Sequence, residues 1–263
     1  YLIWLDESKK PRRIGPSFIF MFSYIWHTIF FDPIYNALIF FVDTVRGGDV
    51  GLAIIATVVL VKFILLPLSV KAAKTQKVMR DIEPKLREIK EKHKDDRQAQ
   101  AQAMLLVYKD YNLNPFASIF LIFLQIPIIF ALYFAVYKGG GIPLPEVNTA
   151  LLYSFVAVPT QVSTMFLGIV DVTGRSILLA LGAGITQYIY TSMTLPKLAA
   201  RDPEAAPSFK DDFARNMHIQ MKYVMPVLIV FIAYTISAAI ALYFFVSNLI
   251  MVAQEFYVRK HRN

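Results

Sequence analysis

The stretch DVGLAIIATVVLVKFILLPLS, Asp49–Ser69, decides the fold class. From Gly51 to Leu60 it carries no charge, and its apolar residues fall on every face rather than on one stripe. About 20 such residues, rising 1.5 Å each as a helix, cover the roughly 30 Å of a bilayer's hydrocarbon core. Pro67 lies close to the end of the stretch, where a kink is tolerated. A membrane-spanning helix is the reading.

Working outward, the same segregation recurs. Asn112–Tyr137, Ser176–Leu195 and Tyr223–Gln254 are free of charge, while Lys, Arg, Asp and Glu collect between them. The 263 residues are 56% hydrophobic, with a mean hydropathy of +0.49. A soluble domain of this length would spread its charge and show one-sided apolar patterns. The expected fold is therefore an all-α, polytopic membrane protein.

Residues 1–32 form an N-terminal segment. Lys9, Lys10, Arg12 and Arg13 precede the aromatic-rich run Ile14–Phe31, a pattern like a signal-anchor without an evident cleavage site. A span, an interfacial segment and residues added before a start at Met21 are all compatible with it. Residues 33–46 read as an amphipathic interfacial helix, with Ile34, Leu38, Phe41, Val42 and Val45 on one face. Residues 70–114 hold eleven Lys/Arg and seven Asp/Glu. Val78, Ile82, Leu86 and Ile89 make one helical stripe there and Met104, Leu105, Tyr108 and Tyr111 a second. Lys92, His93, Lys94, Asp95, Asp96 and Arg97 form a polar turn between them, which predicts a helical hairpin outside the bilayer.

The remaining spans are read at 115–137, 176–194, 223–237 and 239–258, with loops at 138–175 and 195–222 and a basic tail at 259–263. The final apolar run, Tyr223–Val258, is too long for one crossing, and Ser237-Ala238-Ala239 is its expected bend. Basic residues number eleven in the 70–114 block and five in the 195–222 loop, against Lys138 and Arg175 in the 138–175 loop. The positive-inside rule places the hairpin, the second polar loop and the C-terminus in the cytoplasm. That arrangement requires five core spans, with residues 33–46 on the outer face.

Lys62 is the residue to explain. A lysine near the centre of a span costs about 2.5–3.5 kcal/mol on insertion scales. Two readings compete: the side chain snorkels to the interface roughly 12 Å away, or it faces a hydrated cavity. Gln125, Thr186, Gln187, Tyr243, Ser247 and Asn248 are further polar groups at membrane depth. Singly, each is most simply a helix-packing contact; together with a lysine they suggest a shared polar cavity.

Other classes find little support. The four His are dispersed, no zinc spacing occurs, and no Gly-rich phosphate loop or intramembrane Asp pair is present. Ser69 and Lys62 are about 10 Å apart along the helix, too far for a dyad. Neither an enzyme nor a cofactor is expected, and the +8 net charge reads as cytoplasmic loops rather than a nucleic-acid site. A transporter would call for intramembrane carboxylate relays or inverted repeats, and neither is found. There is no cysteine.

These features resemble the YidC family of membrane-protein insertases. The resemblance is carried by Leu60–Leu68 with Lys62 and Pro67, Tyr108-Lys109 through Asn114-Pro115-Phe116, Leu124-Gln125-Ile126-Pro127-Ile128 and Ala131-Leu132-Tyr133. Met225-Pro226-Val227 and Leu242–Leu249 complete it, in order, across Pro33–Arg259. It implies five core spans around a hydrophilic groove, open to cytoplasm and lipid and closed outside. A basic groove residue, usually Arg and here Lys62, would draw in the polar N-terminal segment of a nascent chain. The change keeps the charge but loses the planar fork of guanidinium. Implied partners are nascent membrane proteins, the lipid bilayer, the Sec translocase, and the ribosome through the hairpin and the 195–222 loop. The implied setting is a prokaryotic plasma membrane. The family's large outer domain is expected to be missing, with only 32 residues ahead of Pro33.

Overall fold

A computed structural model describes residues 16–113, 116–137, 141–195 and 215–260. Asn114-Pro115, Lys138, most of the 195–222 loop and the end of the basic tail lie outside the described residues. The described chain is helical almost throughout: α1 (Pro16–Ile25), a π-helical turn (Trp26–Phe31), α2 (Asp32–Thr44), α3 (Val50–Asp81), α4 (Glu83–Lys92), α5 (Arg97–Asp110), α6 (Phe116–Tyr137), α7 (Ile177–Thr194), α8 (Met225–Ile236) and α9 (Ala238–Lys260). The protein is an all-α polytopic membrane protein. Among the described residues, Ser23–Thr44, Val50–Met79, Arg215–Ile236 and Ala238–Lys260 are long and apolar enough to cross a bilayer. The five-span reading takes the last three of these together with α6, 22 residues without a charge, and α7 with 18, whereas Ser23–Thr44 includes the helix read from sequence as interfacial.

Two boundaries differ from the sequence reading. The helix containing residues 33–46 does not begin there, because helical backbone runs unbroken from Pro16 through the π turn to Thr44. The π turn just before Asp32-Pro33 allows this, since a local π bulge accommodates a proline without breaking the helix. The expected stripe is real: Ile34, Leu38 and Val42 are buried, with Phe41 packed against the same core. Likewise α3 does not stop near Ser69. It continues to Asp81, 32 residues or about 48 Å, because 70–81 has no Gly or Pro. Bilayer length marks where hydrocarbon ends, not where a helix ends.

The core lies where α2, α3, α6 and α9 meet. Tyr35, Leu38 and Ile39 pack with Val50, Ala53 and Ile54, with Ala131, Ala135 and Val136, and with Ala239 and Leu242. Alanines at these crossings let backbones approach, the usual way helices gain contact without a hydrophobic driving force between them. At Ser237 the backbone is extended (φ −172°, ψ 161°) and separates α8 from α9, at the expected bend.

A loop cap closes the end of the bundle opposite the hairpin. Asn36 donates through Nδ2 to the Leu151 carbonyl at 2.9 Å and accepts from Tyr153 N at 2.6 Å. Tyr35 accepts from Asn148 N at 2.8 Å. The starting amides of α9 are met by the cap: Ala238 N donates to Gly174 O at 2.8 Å and Ala239 N to Val172 O at 2.9 Å. Tyr137 at the end of α6 donates to Thr173 O. Within the cap, Met165–Phe166 (β1) pairs antiparallel with Val170–Asp171 (β2). Partial desolvation of Asp171 opposes its ionisation, but hydrogen bonds from Thr173, Thr164 and Gly174 prevail and hold its carboxyl below the ordinary value.

Candidate functional site

Lys62 stands three turns into α3, where Thr57, Val58, Val61 and Lys62 face α6 and α9. Its ammonium does not run along α3 toward the hairpin end. It crosses to α6 and donates to Gln125 Oε1 at 3.2 Å. Around this bond lies a pocket lined by Ile34, Thr57, Val58, Val61, Lys62, Gln125, Ile128, Leu132 and Tyr243. No acidic side chain is among these lining residues, so the cation is held by a dipole alone. The pocket spans about 270 Å³ including its open mouth. A polypeptide helix is about 10–12 Å across with its side chains, so the pocket in this conformation is too small for a helical segment.

Two further polar side chains line the pocket. Tyr243 on α9 is buried, and its hydroxyl has no hydrogen-bond partner. Ser247, one turn on, is close to it but outside hydrogen-bonding geometry. Thr57 is also buried and turns its hydroxyl back to the Ala53 carbonyl at 2.8 Å. Beside the pocket, Val59, Phe63 and Ile64 of α3 and Phe123, Ile126 and Phe130 of α6 are exposed. A cationic pocket therefore lies beside an apolar surface fit for lipid.

The sequence model of the family described as 60Kd inner membrane protein matches residues 40–263. The chain belongs to that family. Membrane protein insertase YidC of Clostridium tetani is 30% identical over 210 residues, 80% of this chain and 81% of its own length. Membrane protein insertase YidC 2 of Bacillus anthracis is 28% identical over 239 residues, covering 89% of this chain and 81% of its own. For Membrane protein insertase YidC of Pelobacter propionicus the figures are 29% over 238 residues, 89% of this chain and 39% of the relative. The chain thus spans most of the first two relatives and about two fifths of the third. As in this family of bacterial inner-membrane insertases, its setting is a lipid bilayer.

In this YidC-family chain the other polar residues at depth are distributed unevenly. Thr186 and Asn248 meet at a separate seam between α7 and α9, where Asn248 Nδ2 donates to Ala183 O at 3.3 Å and reaches Thr186 Oγ1 at 3.5 Å. Thr186 in turn donates to the Gly182 carbonyl at 2.9 Å. Gln187 stays on α7 and donates to Thr191 Oγ1 at 3.2 Å. The structure therefore brings Lys62, Gln125 and Tyr243 together, places Ser247 next to them, and puts Thr186, Gln187 and Asn248 elsewhere.

Toward the hairpin end, two polar ties join the same helices. Ser69 of α3 donates to Gln254 Oε1 of α9 at 2.9 Å. Arg259 of α9 binds Glu255 at 2.9 Å and the Met193 carbonyl at the end of α7. Sequence reading missed Thr57, Ser69, Glu255 and Arg259 as members of this frame. Thr and Ser satisfy themselves on their own helix and leave no anomaly to notice, while a charged pair near a helix end looks like ordinary surface.

The hairpin has a small core of its own. Ile82 and Leu86 pack against Val107, with Val78, Ile89, Met104 and Tyr108 around them. Asp96 caps α5 by accepting from Gln98 N at 3.0 Å and Ala99 N at 2.9 Å. Lys92, Lys94, Asp95, Asp96 and Arg97 are exposed at the tip, with His93 half-buried beside them.

Proposed function

We propose that this chain inserts nascent membrane proteins, using the pocket around Lys62 as the first polar foothold for a segment on its way to lipid. The hairpin and the C-terminus face the cytoplasm in this reading, and the 138–175 cap faces outward. The exposed tip Lys92–Arg97 meets the incoming chain, with the Sec translocase and the ribosome as further partners through the cytoplasmic loops. The observation that carries the proposal is the Lys62–Gln125 bond: a cation at bilayer depth is turned into a pocket between helices and not toward the headgroups. Its charge is available to an acidic or polar stretch, because no carboxylate lines the pocket to neutralise it. The apolar part of the segment then partitions onto the neighbouring surface of α3 and α6.

The narrowness of the pocket adds a mechanical element. A helical segment enters only if α3 and α6 part, and the weak polar tie between them at this depth is suited to that. The test is photo-crosslinking from position 62 to a ribosome-stalled membrane protein whose length is varied. Crosslinks that appear as the first polar segment emerges, and then pass to positions 63 and 126, support the reading. Absence of crosslinks from position 62 at every length overturns it.

A further inference from the structure

We propose that the turn Phe166–Ile169 is a lipid anchor, seated in the leaflet at the cap end of the bundle, that fixes how deep α3 lies in the membrane. The turn joins β1 to β2, with Ile169 N donating to Phe166 O at 2.9 Å. Its two central residues, Leu167 (φ +52°) and Gly168 (φ +70°), are both left-handed. Such turns strongly favour Asn-Gly or Asp-Gly, because a branched apolar side chain is strained at positive φ. Here the strained site holds leucine. Its side chain is not used for packing: Leu167 is 59% exposed and Ile169 77%, while Phe166, just before them, packs against Gly51 of α3. An apolar residue kept at a strained position and turned outward has its use outside the protein.

The depth of the turn identifies what lies outside. Asp49 holds it with one carboxylate, accepting from Leu52 N at 3.0 Å through Oδ1 and from Leu167 N at 2.7 Å through Oδ2. The first oxygen caps the start of α3, so the turn is tied to the first turn of that helix. Val50–Ser69 is about 30 Å of helix, one hydrocarbon thickness, and after Lys62 the next charge on α3 is Lys71. The start of α3 thus sits at one hydrocarbon boundary, and the clamped turn sits there too. The following residues agree, since Gly174 and Val172 meet the start of α9 and Thr173 the end of α6. Ile177 and Leu178 at the start of α7 are exposed apolar residues as well. Asp171 and Arg175 are exposed beside it, as suits groups at headgroup level. Phospholipid is the occupant this placement requires. Because Lys62 lies twelve positions along α3 from Val50, anchoring the turn also sets the depth of the ammonium.

The chain has no cysteine, so single nitroxide labels report on one site at a time. The full chain carrying Ile169→Cys, Phe63→Cys or Lys94→Cys is labelled and reconstituted in vesicles of phosphatidylethanolamine and phosphatidylglycerol. Collision with oxygen, which concentrates in lipid, is compared with collision with a water-soluble nickel chelate. The expected oxygen-to-nickel ratio at 169 is close to that at 63 and about tenfold above that at 94, as for partition of one apolar side chain. A ratio at 169 equal to that at 94 overturns the proposal. Protection from both reagents overturns it as well, because protein then covers the turn. Leu167→Asn, which suits the left-handed backbone better than leucine, separates anchoring from folding. It should lower the ratio at 169 several-fold, and an unchanged ratio would show that Leu167 does not hold the turn in lipid.

Discussion

The ammonium of Lys62 on α3 and the carboxamide oxygen of Gln125 on α6 lie 3.2 Å apart and form the polar contact between these two helices at the pocket. In hydrocarbon an ammonium with one neutral partner remains under-solvated, since it has three donors and Gln125 occupies one. The remaining capacity is what an incoming carboxylate or backbone carbonyl can use. Lys62→Arg should therefore keep insertion of substrates with acidic N-terminal segments within about twofold, whereas Lys62→Ala should lower it about tenfold, the effect of one charge-assisted contact. Reconstituted insertion of matched substrates with acidic and neutral N-termini checks this. Equal loss for both substrates would mean that the residue acts through structure and not through charge.

The same pair makes a stability prediction with a sign. Gln125→Leu leaves the cation without its partner and should destabilise by about 1–3 kcal/mol. Lys62→Met removes the charge itself and should be neutral or stabilising, as replacing buried ions with apolar groups often is. Adding Lys62→Met to Gln125→Leu should then recover most of the loss, a coupling of about 0.5–3 kcal/mol. Unfolding midpoints of the four proteins in mixed micelles measure it, and additive effects would show that the two side chains do not interact.

Much of this site was legible because polar residues in apolar runs are conspicuous. Lys62, Gln125 and Tyr243 stood out in that way, and rotation about the helices then sorted them. Tyr243 turns toward α3, while Asn248, five residues on, turns toward α7. Sequence spacing places residues on a face of one helix, but it does not say which neighbour that face meets. For this reason spacing groups Thr186, Gln187 and Asn248 with Lys62, although Thr186 and Asn248 meet at another seam and Gln187 bonds within α7. The cap was not legible at all. Asn36 reaches Leu151 and Asp49 reaches Leu167 across more than a hundred residues, and irregular loops carry no periodic signal of such contacts. The bend at Ser237 follows from an apolar run too long for one crossing, with Ser237-Ala238-Ala239 only a weak breaker and the charge count in agreement.

Two adjacent glycines test how the cap is held. Gly47 (φ +74°) and Gly48 (φ +63°) both adopt left-handed backbone, so alanine carries a strain of about 1–2 kcal/mol at each. They differ in space. A Cβ at Gly47 meets nothing within 4 Å, whereas one at Gly48 overlaps the Gln161 carbonyl. Gly48 also accepts from Ser163 N at 2.8 Å, in the bridge that seats the cap on the start of α3. Gly48→Ala should speed proteolytic nicking within residues 141–175 far more than Gly47→Ala. Equal rates would indicate that backbone strain alone governs the cap.

The hairpin prediction concerns the side chain that caps α5 at the tip. Asp96 accepts from the Gln98 and Ala99 amides, and loss of such a cap costs about 1 kcal/mol. The packed seam of Ile82, Leu86 and Val107 lies farther along the hairpin and does not depend on it. Asp96→Ala should therefore fray the first turn of α5 and leave the seam intact. Hydrogen exchange should quicken about fivefold at Gln98 and Ala99, the factor that 1 kcal/mol of local opening gives, with no change at Val107. Asp96→Asn, which retains an accepting oxygen, should restore protection. If a well-ordered tip is what receives substrate, crosslinking from position 94 to a stalled chain should fall in Asp96→Ala and recover in Asp96→Asn. A fall in exchange protection without any change in crosslinking would assign the cap to hairpin stability alone.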